Sequence, residues 1–262
     1  MSKSDKIIPQ FVENPNLPKN DVTDVVLGAK FALKFVDFFI KKGISAHILA
    51  DFDKVLPQLT SHADISMCYL GNGEAVFADI SANEPLIKQL ELHAFQSKSE
   101  FLSNYPGDVP LNIAIFGNFC IHNFTYTDKY IRDKIQNLQQ INVKQGYSKC
   151  STLMVDEKSI ITEDIKIHKT AIRYGVGSLL IKKGFIELEG FDYGFIGGAG
   201  FKTSISSIAF TGTLDKHPDK ERILKFLFDR NITVEFMTNE NIFDVGSIIP
   251  IKEKKVEGID FS

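Results

Sequence analysis

Short apolar runs and amphipathic stretches follow one another along this chain in an order that repeats: strand, tight turn, strand, helix, strand. The clearest copy runs from Leu111 to Lys144, where LNIAIFG and FCIHN read as paired strands, Thr127 to Leu138 as a helix and Ile141 to Lys144 as a closing strand. A second starts at Asp64 with ISMCYL, turns at Gly71 to Gly73, and continues through AVFADI, a helix from Glu84 and the strand LHAFQ. A third starts at Cys150 with STLMV, turns at Asp156 to Lys158, and continues through SIITED, a helix from Ile165 to Tyr174 and SLLI. A fourth takes FIGGA and SIAFTG as strands, then a helix capped by His217 and started by Pro218, then ITVEF. The copies are spaced by roughly 40 to 50 residues, the range of repeat and propeller architectures.

The fifth copy is split between the ends of the chain. Phe243 to Pro250 supplies its first strand, while DVVLGA, a helix from Lys30 to Lys42 and SAHIL supply the rest. The apolar residues Phe31, Leu33, Phe35, Val36, Phe38, Phe39 and Ile40 predict that this helix is buried on more than one side. Closing a ring by joining its termini leaves no open sheet edge. The fold class expected is therefore α+β, a five-unit ββαβ propeller with pseudo-fivefold symmetry, formed by residues 1–262 as one domain. The first twenty or so residues, with three prolines, read as a strap or tail on its outside. An ordinary α+β domain with alternating helices and strands is the competing architecture.

Composition narrows the function classes. The net charge is -3, and only four of the 30 basic residues are arginine, which argues against nucleic acid as the main partner. No apolar stretch is long enough for a membrane span and no secretory signal is evident, so the expected location is the cytoplasm. Three scattered cysteines make neither a disulfide framework nor a paired zinc motif, and no metal or cofactor is expected.

If first strands converge on the axis of a ring, the residues at their starts face a common channel. Those starts are polar or glycine-rich: Ser61-His62-Ala63-Asp64, Pro110-Leu111-Asn112, Lys149-Cys150-Ser151, Phe195-Ile196-Gly197-Gly198 and Phe243-Asp244-Val245-Gly246. His62, Asp64, Asn112, Cys150 and Asp244 would line one hole. Lys149 is next to Cys150, but successive strand side chains face opposite ways, which sets it apart from the thiol. Each residue also has a plainer role: Cys150 as a packed thiol, His62 as a cap, Asp64 and Asp244 as turn acids. Cys120 and His122 share a strand face, a pair that reads as two metal ligands or as a packed thiol and a bonded imidazole. The run Gly194-x-x-Gly197-Gly198-x-Gly200 lacks the following helix of a dinucleotide fingerprint and reads as backbone in close approach to the axis.

Five ββαβ units around an axis resemble the pentein fold of guanidine-modifying enzymes: arginine and agmatine deiminases, dimethylarginine hydrolases and amidinotransferases. KQGYSKC (Lys144 to Cys150), GFIGGAG (Gly194 to Gly200), YPGDVPLN (Tyr105 to Asn112) and HAD (His62 to Asp64) resemble more closely a bacterial family of unknown function assigned to that fold, over nearly the whole chain. The enzymes of the fold use a His-x-Asp motif, a Cys about two units further along, and carboxylates that hold the guanidinium. The resemblance thereby implies Cys150 as nucleophile, His62 as general acid and base, and Asp64, Asp244 and Asn112 as substrate-binding groups. It implies a Cys-dependent hydrolase or transferase acting on a guanidino or amidine compound through a thiouronium intermediate. One departure is plain: in those enzymes the Cys belongs to the last unit, whereas here the last unit carries Asp244-Val245-Gly246-Ser247. The roles transfer only if the units are circularly shifted. The fold also hosts a ribosome anti-association factor without a catalytic Cys, so a non-catalytic module binding a small molecule or a protein is the alternative.

Overall fold

The structure is a computed structural model and describes residues 8–255. Strands β1 (Pro9–Phe11), β2 (Val22–Gly28) and β3 (Ser45–Leu49) come first, with the short helices α1 (Ala29–Ala32) and α2 (Val36–Lys42) between β2 and β3. The one-turn helix α3 (Ala63–Ser66) leads into β4 (Met67–Gly71), β5 (Glu74–Phe77), α4 (Glu84–Leu90) and β6 (His93–Gln96). The same order follows in β7 (Ala114–Phe116), β8 (Phe119–His122), α5 (Lys129–Lys134), β9 (Gln139–Asn142), and in β10 (Leu153–Asp156), β11 (Ser159–Thr162), α6 (Ile165–Arg173), β12 (Gly177–Leu180). It follows again in β13 (Gly200–Ser204), β14 (Ser207–Phe210), α7 (Lys220–Phe228) and β15 (Thr233–Phe236), and β16 (Ile249–Lys254) closes the chain.

Each unit is a small sheet whose first strand pairs antiparallel with the second, which pairs parallel with the third across the helix. The fifth unit is assembled from both ends: β16 takes the first-strand position against β2, β2 runs parallel to β3, and β1 adds a fourth strand beyond β16. Among the described residues no helix is long and apolar enough to cross a membrane.

Five hydrophobic clusters fill the five junctions between sheets. In β4, Met67 and Tyr69 pack toward the β2–β16 sheet while Cys68 packs toward the β7–β8 sheet. Ala114 and Phe116 likewise face one neighbour and Ile115 the other, as do Leu153 and Val155 against Met154. The period of two is intact, but both faces are buried, so the strands read as continuous apolar runs.

Four sequence expectations are corrected in the elements. The stretch from Lys30 to Lys42 is not one helix buried on several sides: it breaks at a 3-10 turn, Leu33–Phe35, and buries Phe35, Phe38 and Phe39 while Leu33 and Ile40 stand 87% and 74% exposed. The α7 helix begins at Lys220 with Asp219 at its N-cap; Pro218 precedes it, and His217 accepts the Asp219 N–H through Nδ1 at 3.0 Å. In the Leu111–Lys144 copy the helix is confined to Lys129–Lys134, because Asp128 caps it by accepting the Tyr130 and Ile131 N–H groups. The expected strap is described only from residue 8, residues 1–7 lying outside the described residues, and residues 8–20 are more than an outer strap: β1 pairs in a sheet, and Val12 and Leu17 enter two of the cores.

The largest correction concerns the first strands, each of which starts several residues later than the pattern predicts. FIGGA forms a 3-10 turn, Ile196–Gly198, and the strand is GFKTS; Phe243 to Ile248 is a turn ahead of β16; Cys150 lies in a turn ahead of β10. The polar residues prefer these turns because their backbone groups bond across the axis. Asp64 N–H donates to Gly246 O at 3.0 Å, Lys149 N–H to Asn112 O at 3.1 Å, Gly197 N–H to Cys150 O at 2.7 Å and Val245 N–H to Gly198 O at 3.0 Å. Asn112 Nδ2 donates to Asp64 O at 3.1 Å and closes the fifth junction. The ring is thus tied at its centre by at least one hydrogen bond at every junction, each of these satisfying a buried backbone group that no sheet serves.

Candidate active site

The five pre-strand turns bring Cys150, Asp64, Asn112 and Asp244 together, with His62 two residues before Asp64. The approach demands glycine. A Cβ on Gly198 would sit 1.9 Å from Asp244 Oδ1, and one on Gly246, where φ is +68°, would sit 2.2 Å from the His62 ring. The glycine run therefore lies close to the axis as expected, as a turn instead of a strand.

Cys150 is 3% exposed and its Sγ is held from two sides. Asn112 Nδ2 donates to it at 3.0 Å, and the thiol donates to Asp64 Oδ2 at 3.1 Å. Asn112 Oδ1 accepts the backbone N–H groups of Lys149 and Cys150 at 2.9 and 3.2 Å, so this amide fixes the whole turn. Burial, with Asp64 and Asp244 nearby, pushes the thiol well above its ordinary pKa, and the free protein holds it protonated.

Asp64 is fully enclosed, and its Oδ2 also accepts the Ser247 hydroxyl at 2.5 Å while Oδ1 has no partner. His62 caps nothing with its side chain; the ring is 2% exposed and its Nε2 has no hydrogen-bond partner. Burial lowers the His62 pKa against the pull of Asp64, which leaves the imidazole neutral and free to accept a proton. Asp244 accepts from Phe195 N–H at 2.9 Å through Oδ2 and from Gly246 N–H at 2.8 Å through Oδ1. Burial pushes its pKa up to about 6 despite these donors.

His62, Cys150 and Asp244 open onto one cavity of about 240 Å³, walled by Tyr147, Phe191, Tyr193 and Phe195. Tyr147 is anchored by its hydroxyl to Asp108. A second chamber of about 410 Å³ shares Leu188, Phe191, Asp192 and Asp244 with the first and leads outward past Lys30 and Lys34. A larger depression of about 440 Å³, between Glu13, Asn72, Asn118 and Lys134, contains no candidate nucleophile. Asp64 and Asn112 lie behind the thiol instead of lining the cavity, so in this geometry they position Cys150 while Asp244 faces the space a ligand would fill.

Two residues that the sequence reading set aside or passed over belong to the cluster. Lys149 Nζ donates to Ser247 Oγ at 3.0 Å and to Gly197 O at 3.3 Å, and Ser247 joins it to Asp64. Strand alternation does not apply to Lys149 because Cys150 is in a turn. Ser247, at φ +74°, was detectable only as a polar residue in the last unit's axial turn. The Cys120–His122 pair is no ligand set: His122 Nε2 is bonded to Gly146 O at 2.8 Å and Nδ1 to Thr127 Oγ1 at 2.6 Å, and no metal-binding group occurs among the described residues.

Residues 28–249 match a family described as a family of unknown function, DUF6873. No curated protein matches the sequence. Among solved structures, the inosamine-phosphate amidinotransferase of Streptomyces griseus superposes with a TM-score of 0.61 at 7% identity, over 96% of this chain and 98% of its own. A serine-for-cysteine variant of C. jejuni agmatine deiminase with substrate bound gives 0.55 at 11% identity, over 98% and 100%. Another structure of C. jejuni agmatine deiminase gives 0.52 at 12% identity, over 87% and 91%. At these identities the likeness is one of fold: the five-unit ring is of the pentein type.

Proposed function

The chain belongs to the DUF6873 family of unknown function, and from that premise we propose that it is a Cys-dependent enzyme acting on a guanidino or amidine compound. One observation carries the reading: a buried thiol, an imidazole with an unpartnered nitrogen and a carboxylate converge on a single aromatic-walled cavity. The solved structures that share the fold, an amidinotransferase and an agmatine deiminase, support the same class of chemistry.

A guanidinium is planar, delocalised and a poor electrophile, and a thiolate is the side chain best suited to attack it near neutral pH. Asp244 pairs with the cation from one side, and the aromatic walls receive its faces and tail. The bound cation favours the thiolate, so the proton leaves Cys150 when substrate is present. Sulfur bonds to the guanidinium carbon and gives a neutral tetrahedral adduct. One nitrogen departs as ammonia or an amine, taking up the proton that the thiol released, delivered through Asp64 and His62. The product is an S-linked thiouronium cation. His62 then takes a proton from an entering water, oxygen bonds to carbon, and the carbon–sulfur bond breaks. The released sulfur regains one proton, leaving a ureido product. An amine in place of water makes the same cycle an amidino transfer.

The test is product analysis by mass spectrometry after incubating the protein with a panel of guanidino compounds, with and without an acceptor amine. Wild-type turnover that disappears in Cys150→Ala is the expected result, and full turnover by that variant would sink the reading. Saturable binding of a compound without any turnover would favour the non-catalytic binding module, which the strongly raised pKa of the buried thiol also supports.

A further inference from the structure

Behind the thiol, away from the cavity, lies a buried cation with no place in the chemistry above. We infer that Lys149, acting through Ser247, is a positioning residue that keeps Asp64 ionised, so that Asp64 is the acceptor of the Cys150 thiol proton. The inference rests on the proposed reading in that it concerns the same thiol, but it does not depend on the substrate.

The geometry fixes the direction of every donor. Lys149 is 7% exposed, and its ammonium can only donate, to Ser247 Oγ at 3.0 Å and Gly197 O at 3.3 Å. Ser247 has one proton, and its shortest contact is Asp64 Oδ2 at 2.5 Å, against 3.1 Å to Gly197 O. Asp64 Oδ2 therefore accepts from both Ser247 and Cys150 and carries no proton, and a proton on Oδ1 would find no acceptor, which together favour the carboxylate form. An enclosed carboxylate whose Oδ1 has no partner is costly unless a cation compensates it. The groups facing this cluster are the Asp244 carboxylate, the neutral His62 ring, the Cys68 thiol and, beyond His62, Lys30. Burial raises the Asp64 pKa and lowers that of Lys149; the charges that pull Asp64 back down are His62, when protonated, and Lys149, so with His62 neutral and Lys30 ion-paired at the surface with Glu189, Lys149 is the buried ammonium acting on Asp64.

Proton transfer within this group moves charge without creating any. The S–H bond breaks, sulfur keeps the electron pair, and the proton binds Asp64 Oδ2. The negative charge passes from carboxylate to sulfur while Lys149 stays positive, so the cluster's net charge is the same before and after. Without Lys149 the buried carboxylate is protonated beforehand and has no capacity to take the thiol proton.

The experiment is the rate of Cys150 alkylation by iodoacetamide across pH, read by mass spectrometry on the full chain without any guanidino compound. Cys68 and Cys120, both buried in a core, report on unfolding in the same samples. Lys149→Met is expected to slow Cys150 labelling by about tenfold or more near pH 8 and to displace the profile upward, one unit of displacement being a tenfold change in thiolate. Ser247→Gly removes the linking hydroxyl at a positive φ that glycine adopts freely, and is expected to act in the same direction even if Lys149→Met fails to fold. An unchanged profile in Ser247→Gly and in any folded Lys149→Met overturns the inference, as does a wild-type Cys150 that labels only on unfolding. A displaced profile in a protein that turns over no guanidino compound upholds it while the functional reading fails.

Discussion

Asp244 is held by two backbone N–H groups and is still pushed up to about 6, because burial outweighs them. Its folded pKa is above the ordinary 3.8, so its contribution favours the fold below that value and is lost as pH rises through about 6. The loss amounts to about 3 kcal/mol. A cation in the cavity recovers part of it, and binding strengthens over the range in which Asp244 ionises. The affinity for methylguanidine, measured by calorimetry, is expected to fall as pH drops from 7 to 5, and an affinity constant over that range would count against Asp244 as the cation holder. His122 has the opposite sign. Burial between Thr127 and Gly146 lowers its pKa from 6.5 to about 4, so its stabilisation is present above 6.5 and is lost as pH falls toward 4. His122→Gln does not titrate, and its stability relative to wild type is expected to rise by up to about 3 kcal/mol between pH 6.5 and 4 in urea titrations. At this scale the residue types were legible in sequence: a thiol, an imidazole and acids at unit starts. Which of them face the cavity was not, because Asp64 and Asn112 turn behind Cys150 in a way that only the axial turns determine.

The axial turns show what sequence periodicity carries and what it does not. Helix and strand existence followed from apolar spacing in all five units, since each helix lays one apolar stripe over one junction: Leu86 and Leu90 of α4 in one cluster, Ile223 and Leu227 of α7 in another. The starts of the inner strands were read too early because both faces are apolar there, and a turn residue such as Ile196 or Val245 is as buried as a strand residue. Glycine was the signal that could have corrected this. Gly198 marks the place where the 3-10 turn meets Asp244 with no room for a methyl group. Gly198→Ala is expected to lower stability by roughly 1–3 kcal/mol or more, the usual range for overpacking. It should also displace Asp244, so that cation binding weakens in the fraction that folds. Gly43→Ala, at φ +66° with no atom within 4 Å of the added carbon, is the control that carries backbone strain alone. Equal urea midpoints for the two variants would show that contact with Asp244 is not what the glycine preserves.

At the level of the molecule, the split fifth unit was legible because its parts follow the same pattern as the other four, and the structure pairs β16 with β2 as that pattern requires. The chemistry of a ligand for the cavity was not legible, since much of its wall comes from Tyr147 and from residues 188–195, which belong to no repeating element. The closure has a consequence for connectivity. Lys255 N–H donates to Ile8 O at 3.1 Å, so the ends of the described chain already touch. The ring's stability resides in five junction cores and the axial hydrogen bonds between units, none of which depends on where the chain starts. Linking residue 255 to residue 8 through a short Gly/Ser segment and opening the chain between the exposed Ser103 and Asn104 is expected to give a folded permutant. It should label at Cys150 with the wild-type pH profile. Deleting residues 249–254 removes the first strand of the fifth sheet, taking Ile249 and Ile251 from the core between β2 and β4, and is expected to abolish cooperative unfolding. A permutant that fails to fold, beside a deletion that folds, would mean that the N-terminal segment and not the ring closure holds the unit together.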